Sequence, residues 1–240
     1  MLTLLMKRRA RIAAKTATEH QKESTDTHIS DEQQKESSAS PSDTLVGKTW
    51  DEIQRLLAVD LEFVRTLASF EEKNTFRKEL IKKYQAQAEH LLATNKSLDG
   101  LDLLWWFYLW QIDCGLLPLI HDDFKAAILR GLSTPQKWSS NGQTAYCDII
   151  FKYSHKAHAD NTPFNAEYLF NAITDIHNGN IAINAPLKVK MFRLAGDLLD
   201  ESGNKKEDAL ALFEALMQMD PNKGGRKTRV KELKQELGHE

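Results

Sequence analysis

The sequence predicts an all-α protein: a multi-helix bundle with a C-terminal tetratricopeptide-like helical hairpin and a flexible N-terminal arm. Three observations predict it. Apolar residues recur at three- and four-residue spacing through most of the chain after residue 49, the period of one helix face. Gly115, Gly131, Gly179 and Gly203 close successive periodic segments, as glycines do at helix C-termini. No alternating run of β-branched residues is long enough to demand a strand.

Residues 1–15 carry Lys7, Arg8, Arg9, Arg11 and Lys15 and no acid. Between residues 19 and 36 the balance reverses, with Glu19, Glu23, Asp26, Asp31, Glu32 and Glu36 against two lysines. From Thr16 to Ser42 the sole large aliphatic residue is Ile29, so this stretch has too little apolar surface to offset the entropy of ordering it. We read residues 1–15 as a basic arm and residues 16–48 as a flexible polar linker. The apolar stretch Met1 to Met6 precedes its charges, the reverse of a secretory signal, so no export is expected. No apolar run approaches the ~20 residues that span a bilayer, so no membrane partner is expected.

Residues 49–181 form the expected helical core and oligomerisation region. Thr49-Trp50-Asp51-Glu52 is a capping-box pattern, in which the threonine hydroxyl and the glutamate carboxylate satisfy each other's free backbone donors. A stripe of Trp50, Ile53, Leu57, Leu61 and Val64 follows, and a second of Phe76, Leu80, Tyr84, Ala88 and Leu91. Neither Gly nor Pro separates them. The second is nevertheless rotated by roughly 135° from the first, more than the drift of a heptad pattern along one helix supplies. The spacing therefore predicts two helices meeting near Ser69 to Thr75 as a hairpin. The block Trp105-Trp106-Phe107-Tyr108 with Trp110 points all round a helix, which marks a buried central helix or a subunit interface more than a platform for stacking bases. Pro118, Pro135, Pro163, Pro186 and Pro221 fall near helix starts or in loops.

Residues 182–240 form the expected tetratricopeptide-like hairpin and a basic C-terminal helix. Ala209, Phe213 and Pro221 sit at the small, aromatic and terminating positions of that repeat's second helix. In the first helix, Leu187 to Leu199, the small pair Ala195-Gly196 is one residue out of register. With no second copy of the repeat visible, the hairpin reads as a packing device and not as an array.

The formal net charge of -2 excludes a uniformly basic protein that coats nucleic acid, so the distribution of charge carries the information. A phosphate-cradling P-loop is absent, since Gly224-Gly225-Arg226-Lys227-Thr228 lacks the upstream glycine. His155 and His158, with Asp160 behind them, have helical spacing for two metal ligands, but no second ligand pair accompanies them. Asp113, Asp122 and Asp123 with His121 form the acid cluster that a metal-dependent nuclease would need, though acids at helix ends are commonplace. Cys114 and Cys147 belong to no metal-ligand pattern and read as reduced core residues. No catalytic residue, metal ligand or cofactor is therefore expected. The basic clusters remain. Lys7, Arg8, Arg9, Arg11 and Lys15 are the candidate DNA-binding residues, because each phosphate contact releases condensed counterions. Arg226, Lys227, Arg229, Lys231 and Lys234 form a second basic patch for a partner or DNA, although Glu232 and Glu236 interleave with it and offer helical ion pairs.

The run Trp110-Gln-Ile-Asp113-Cys-Gly115, followed by Ala127, Gly131-Leu132 and Pro135, resembles the small terminase subunit of temperate phages with contractile tails. Pro163-Phe164, Leu194-Ala195-Gly196, Ala209-Leu210, Asp220-Pro221 and the closing Lys227 to Leu237 helix continue the likeness in the same order. The resemblance implies a phage- or prophage-encoded protein in the host cell cytoplasm. It implies a subunit that binds the cohesive-end packaging site on double-stranded viral DNA and assembles as a homo-oligomer, a ring being one form. It would deliver DNA to a large ATPase and nuclease subunit for cutting and packaging. Members are often described as the terminase endonuclease subunit; the residues give that no separate support, and cleavage is expected of the large partner. Two alternatives stay open: a metal-dependent endonuclease, and a helical protein-binding scaffold without DNA binding.

Overall fold

The computed structural model describes residues 45–221 and 224–239. The basic arm at residues 1–15 and nearly all of the expected linker lie outside the described residues. Among the described residues the chain is built of α-helices and contains no strand. They divide into two compact units, residues 45–96 with 101–120, and residues 97–100 with 121–239.

The first unit holds α1 (Trp50–Thr66), α2 (Phe70–Thr94) and α3 (Asp102–Asp113). Thr49 caps α1 as expected: its hydroxyl accepts from Glu52 N–H, and its own N–H donates to Glu52 Oε2 at 2.7 Å. A second capping box, Ser69 with Glu72, starts α2. Each box contributes about 1 kcal/mol and, more usefully, fixes where its helix begins. The break between the stripes thus lies at residues 67–69, at the near edge of the predicted interval. The two helices fold back on each other, with Phe63 meeting Phe76 edge-on at 4.7 Å and Asp60 reached by Lys83 and Tyr84. α3 returns along α2, pairing Trp110 with Tyr84 at 5.6 Å between ring centroids and Asp113 with Arg77 at 2.8 Å. Trp105, Phe107, Tyr108 and Trp110 are buried, so most of the aromatic block is core.

The second stripe is buried as read, at Phe76, Leu80, Tyr84, Ala88 and Leu91. The first departs from the reading. α1 buries Ile53, Leu57, Asp60 and Phe63, while Leu61 and Val64 are only half-buried. A charged residue stands at an inward position because its counter-ion comes from α2, and apolarity alone places the stripe one residue off.

α4 (Leu117–Leu129) contains the boundary between the units, which falls after Ile120. The second unit continues with α5 (Gly142–Ala159), α6 (Glu167–His177), α7 (Ala185–Glu201), α8 (Lys206–Met219) and α9 (Lys227–Leu237). Its aromatic centre joins α4, α5 and α6: Phe124 lies against Tyr146, and the buried His121 stacks on Tyr168 with ring centroids 3.8 Å apart. α7 and α8 make the C-terminal hairpin. An added Cβ on Gly196 would lie 2.3 Å from the Phe213 ring, so the two helices meet at a distance that only glycine permits. The small residue that looked out of register is the one that receives the aromatic. Gly115, Gly131, Gly179 and Gly203 all adopt positive φ, between 78° and 91° for the first three and 76° for the last, and end their helices as predicted. Cys147 is buried, which pushes its thiol up to about 12, and burial also raises that of the half-buried Cys114; both are free.

Candidate functional site

The basic residues of the C-terminal helix are mostly committed within the second unit. Asp197 and Asp200 stand three apart on α7, and Arg226 and Arg229 stand three apart at the start of α9. The two pairs meet in register. Arg226 donates Nε and Nη2 to the two oxygens of Asp197 at 2.7 and 2.5 Å, and Arg229 grips Asp200 the same way at 2.6 and 2.8 Å. Such two-pronged bonds fix orientation as well as charge. Arg229 also donates to Glu232 and Glu236, and its hydrogen bonds to Asp200, Glu232 and Glu236 push its pKa further above the ordinary value. Lys234 pairs with Glu214 at 2.7 Å. Arg226, Arg229 and Lys234 therefore dock α9 on the hairpin. Lys227 and Lys231 are exposed and form no ion pair among the described residues.

The acids that suggested metal chemistry also have structural engagements. Asp113 pairs with Arg77 in the first unit; burial outweighs that cation and raises its carboxyl pKa. Asp122 is 99% exposed at its side chain and meets His121 Nδ1 at 2.8 Å, while His121 Nε2 lies 3.1 Å from the Tyr146 hydroxyl. His155 lies against Phe151, with ring centroids 5.3 Å apart, and His158 contacts Glu201 at 2.9 Å. Among the described residues no three His, Cys, Asp or Glu side chains gather as metal ligands.

A hollow of about 480 Å³ opens in the second unit between α5, α7 and the segment entering α9. His155 and His158 line it from α5, Lys190, Arg193 and Asp197 from α7, and Arg226 from the far side. Phe151 and Leu194 supply its apolar wall. Arg193 is oriented by its Nε, which donates to the carbonyl of Gly224 at 3.0 Å. Arg226 is oriented by Asp197. The wall thus carries two guanidinium groups held by partners within the unit, together with an exposed ammonium and two imidazoles. Of the lining residues, His155, His158 and Arg226 stood out in the sequence in other roles and Leu194 as part of the family resemblance, whereas Lys190 and Arg193 did not stand out. The available signal was the three-residue spacing of Lys190 with Arg193, which matches that of His155 with His158. No local pattern says that these two helix faces oppose each other.

A family model described as the phage small terminase subunit matches residues 54–182, from within α1 to the loop before α7. No curated protein and no solved structure matches the chain.

Proposed function

Because that match spans more than half of the 240 residues, the chain belongs to the phage small terminase subunit family, and we propose that it recognises viral DNA for packaging. A general role in terminase-driven DNA packaging comes with the family. In our reading the subunit binds the cohesive-end packaging site through Lys7, Arg8, Arg9, Arg11 and Lys15. It acts as a homo-oligomer in the host cell cytoplasm and delivers DNA to the large subunit, which cuts and translocates it.

The observation that carries the DNA-binding part is the charge pattern of the first fifteen residues, five cations without an acid. The geometry of α9 supports the choice of arm over C-terminal patch, because three of the five patch cations are held by carboxylates of α7, α8 and α9. No helix among the described residues is long and apolar enough to cross a membrane. The test is a titration of packaging-site duplex with the full chain and with the variant carrying Lys7, Arg8, Arg9 and Arg11 all changed to alanine. Loss of four phosphate contacts lowers the dependence of log affinity on log salt by roughly three to four. Unaltered affinity and salt slope would overturn the arm assignment.

A further inference from the structure

We infer that the apolar hollow between α1 and α3 of the first unit is the docking site of this chain's own segment Met1–Met6. There, side chains that periodicity assigns to the core stay partly outside it. Leu61 and Val64 belong to the first apolar stripe yet are half-buried, and Trp106 is half-buried in an aromatic block whose other members are core. With Leu109 they line a hollow of about 90 Å³. The charged groups beside it are engaged: Arg77 pairs with Asp113 at 2.8 Å, and Arg65 with Glu62 at 3.0 Å. The hollow therefore offers an incoming group mainly carbon. Its volume lies well below the roughly 300–1,000 Å³ of small-molecule sites, so it fits one or two aliphatic side chains of a peptide.

Chemistry, spacing and reach identify the occupant. Met1, Leu2, Leu4, Leu5 and Met6 form the densest apolar run outside the described residues, and the DNA-binding reading, which uses only Lys7 to Lys15, gives them no role. Leu2, Leu5 and Met6 have the three- and four-residue spacing with which apolar anchors enter a groove. Leu61 and Val64 lie roughly 18–23 Å along α1 from its Thr49 cap, at the usual rise of a helix. A coil as long as residues 7–49 averages roughly 35 Å end to end, so the segment reaches them without strain. Tethering also supplies a local concentration of the order of mM, well above that of a second copy in micromolar solution. The docking stands without the DNA reading. What it adds to that reading is an origin for the arm, since Lys7, Arg8, Arg9 and Arg11 would extend from the surface of the first unit.

The experiment records nuclear Overhauser spectra of the full chain, isotope-labelled at the methyls of leucine and valine. Cross-peaks are expected from Leu2 or Leu5 to Leu61, Val64 or Leu109. In the variant carrying Leu2→Ser, Leu5→Ser and Met6→Ser these cross-peaks are lost and the Val64 and Leu109 resonances move, while those of the core residues Leu57 and Leu80 stay in place. The three substitutions lie outside the described residues and remove none of the helix contacts given above. Isotope-filtered spectra of a mixture of labelled and unlabelled chains separate the sources of the contact. Cross-peaks within one chain support the inference, whereas cross-peaks between chains would assign the hollow to a neighbouring copy and overturn it. Groove methyls that stay unmoved in the serine variant, with no cross-peak from Leu2 or Leu5, would overturn it as well. With Lys7, Arg8, Arg9 and Arg11 changed to alanine the cross-peaks are expected to persist, so failure of the DNA reading and failure of the docking are told apart.

Discussion

Asp60 in the first unit, and Asp197 with Asp200 in the second, each hold a cation from another helix, but they do so in different surroundings. Asp60 is fully buried, and its Oδ2 accepts from Lys83 Nζ at 2.5 Å and from the Tyr84 hydroxyl at 2.9 Å. The α7 aspartates are only half-buried, each gripped by an arginine that is itself 28–30% exposed at its side chain. Water stabilises either partner of an exposed pair when the other is removed. A buried carboxylate has no such recourse, so the same chemical contact carries very different energetic weight in the two units.

The largest effect of that difference is expected at Lys83. Lys83→Met leaves Asp60 charged and buried without its counter-ion, and a loss of about 3–5 kcal/mol in urea unfolding is expected. Combining it with Asp60→Leu should recover most of that loss, because a hydrophobic pair of similar volume replaces a buried ion pair at little net cost. A double variant no better than the single one would show that the carboxylate is not the source of the penalty. Next in size is Gly196→Ala, which probes the second unit without touching charge. Its Cβ would sit 2.3 Å from Phe213, and the repacking this forces should cost about 1–3 kcal/mol in thermal or urea unfolding, with relief from Phe213→Leu. The smallest effect is expected from Arg229→Ala, about 1 kcal/mol at low salt and less at high salt, because Arg229 is held at a screened surface. A salt-independent loss as large as that of Lys83→Met would erase the distinction between the units.

The same contrast explains which parts of the molecule are legible in the sequence. Helix starts and stops are local. Thr49 with Glu52 announces α1, and the glycines after α3, α4, α6 and α7 announce their ends. The corner between α1 and α2 is legible from the phase of the stripes, and Ser69 with Glu72, the same box as at Thr49, places it to the residue. Asp60 escapes the pattern because its partner Lys83 lies 23 residues on, and burial of a charge makes sense only when both are seen. The α9 clamp had a trace: acids three apart on α7 recur as arginines three apart, each pair 29 residues from its partner. The cation-lined hollow had almost none. It draws on three separated segments, and what unites them is packing among α5, α7 and the start of α9, which no short spacing encodes.

The paired boxes at Thr49 and Ser69 are instructions to begin a helix. Each instruction is complete within four consecutive residues, so a chain leaving the ribosome holds both helix beginnings, and the bend between them, before the third helix has been made. Assembly of the first unit then proceeds between neighbours along the chain, Phe63 with Phe76 and Tyr84 with Trp110. Short closures of this kind keep the entropic toll of bringing ends together small and favour rapid, early compaction during synthesis.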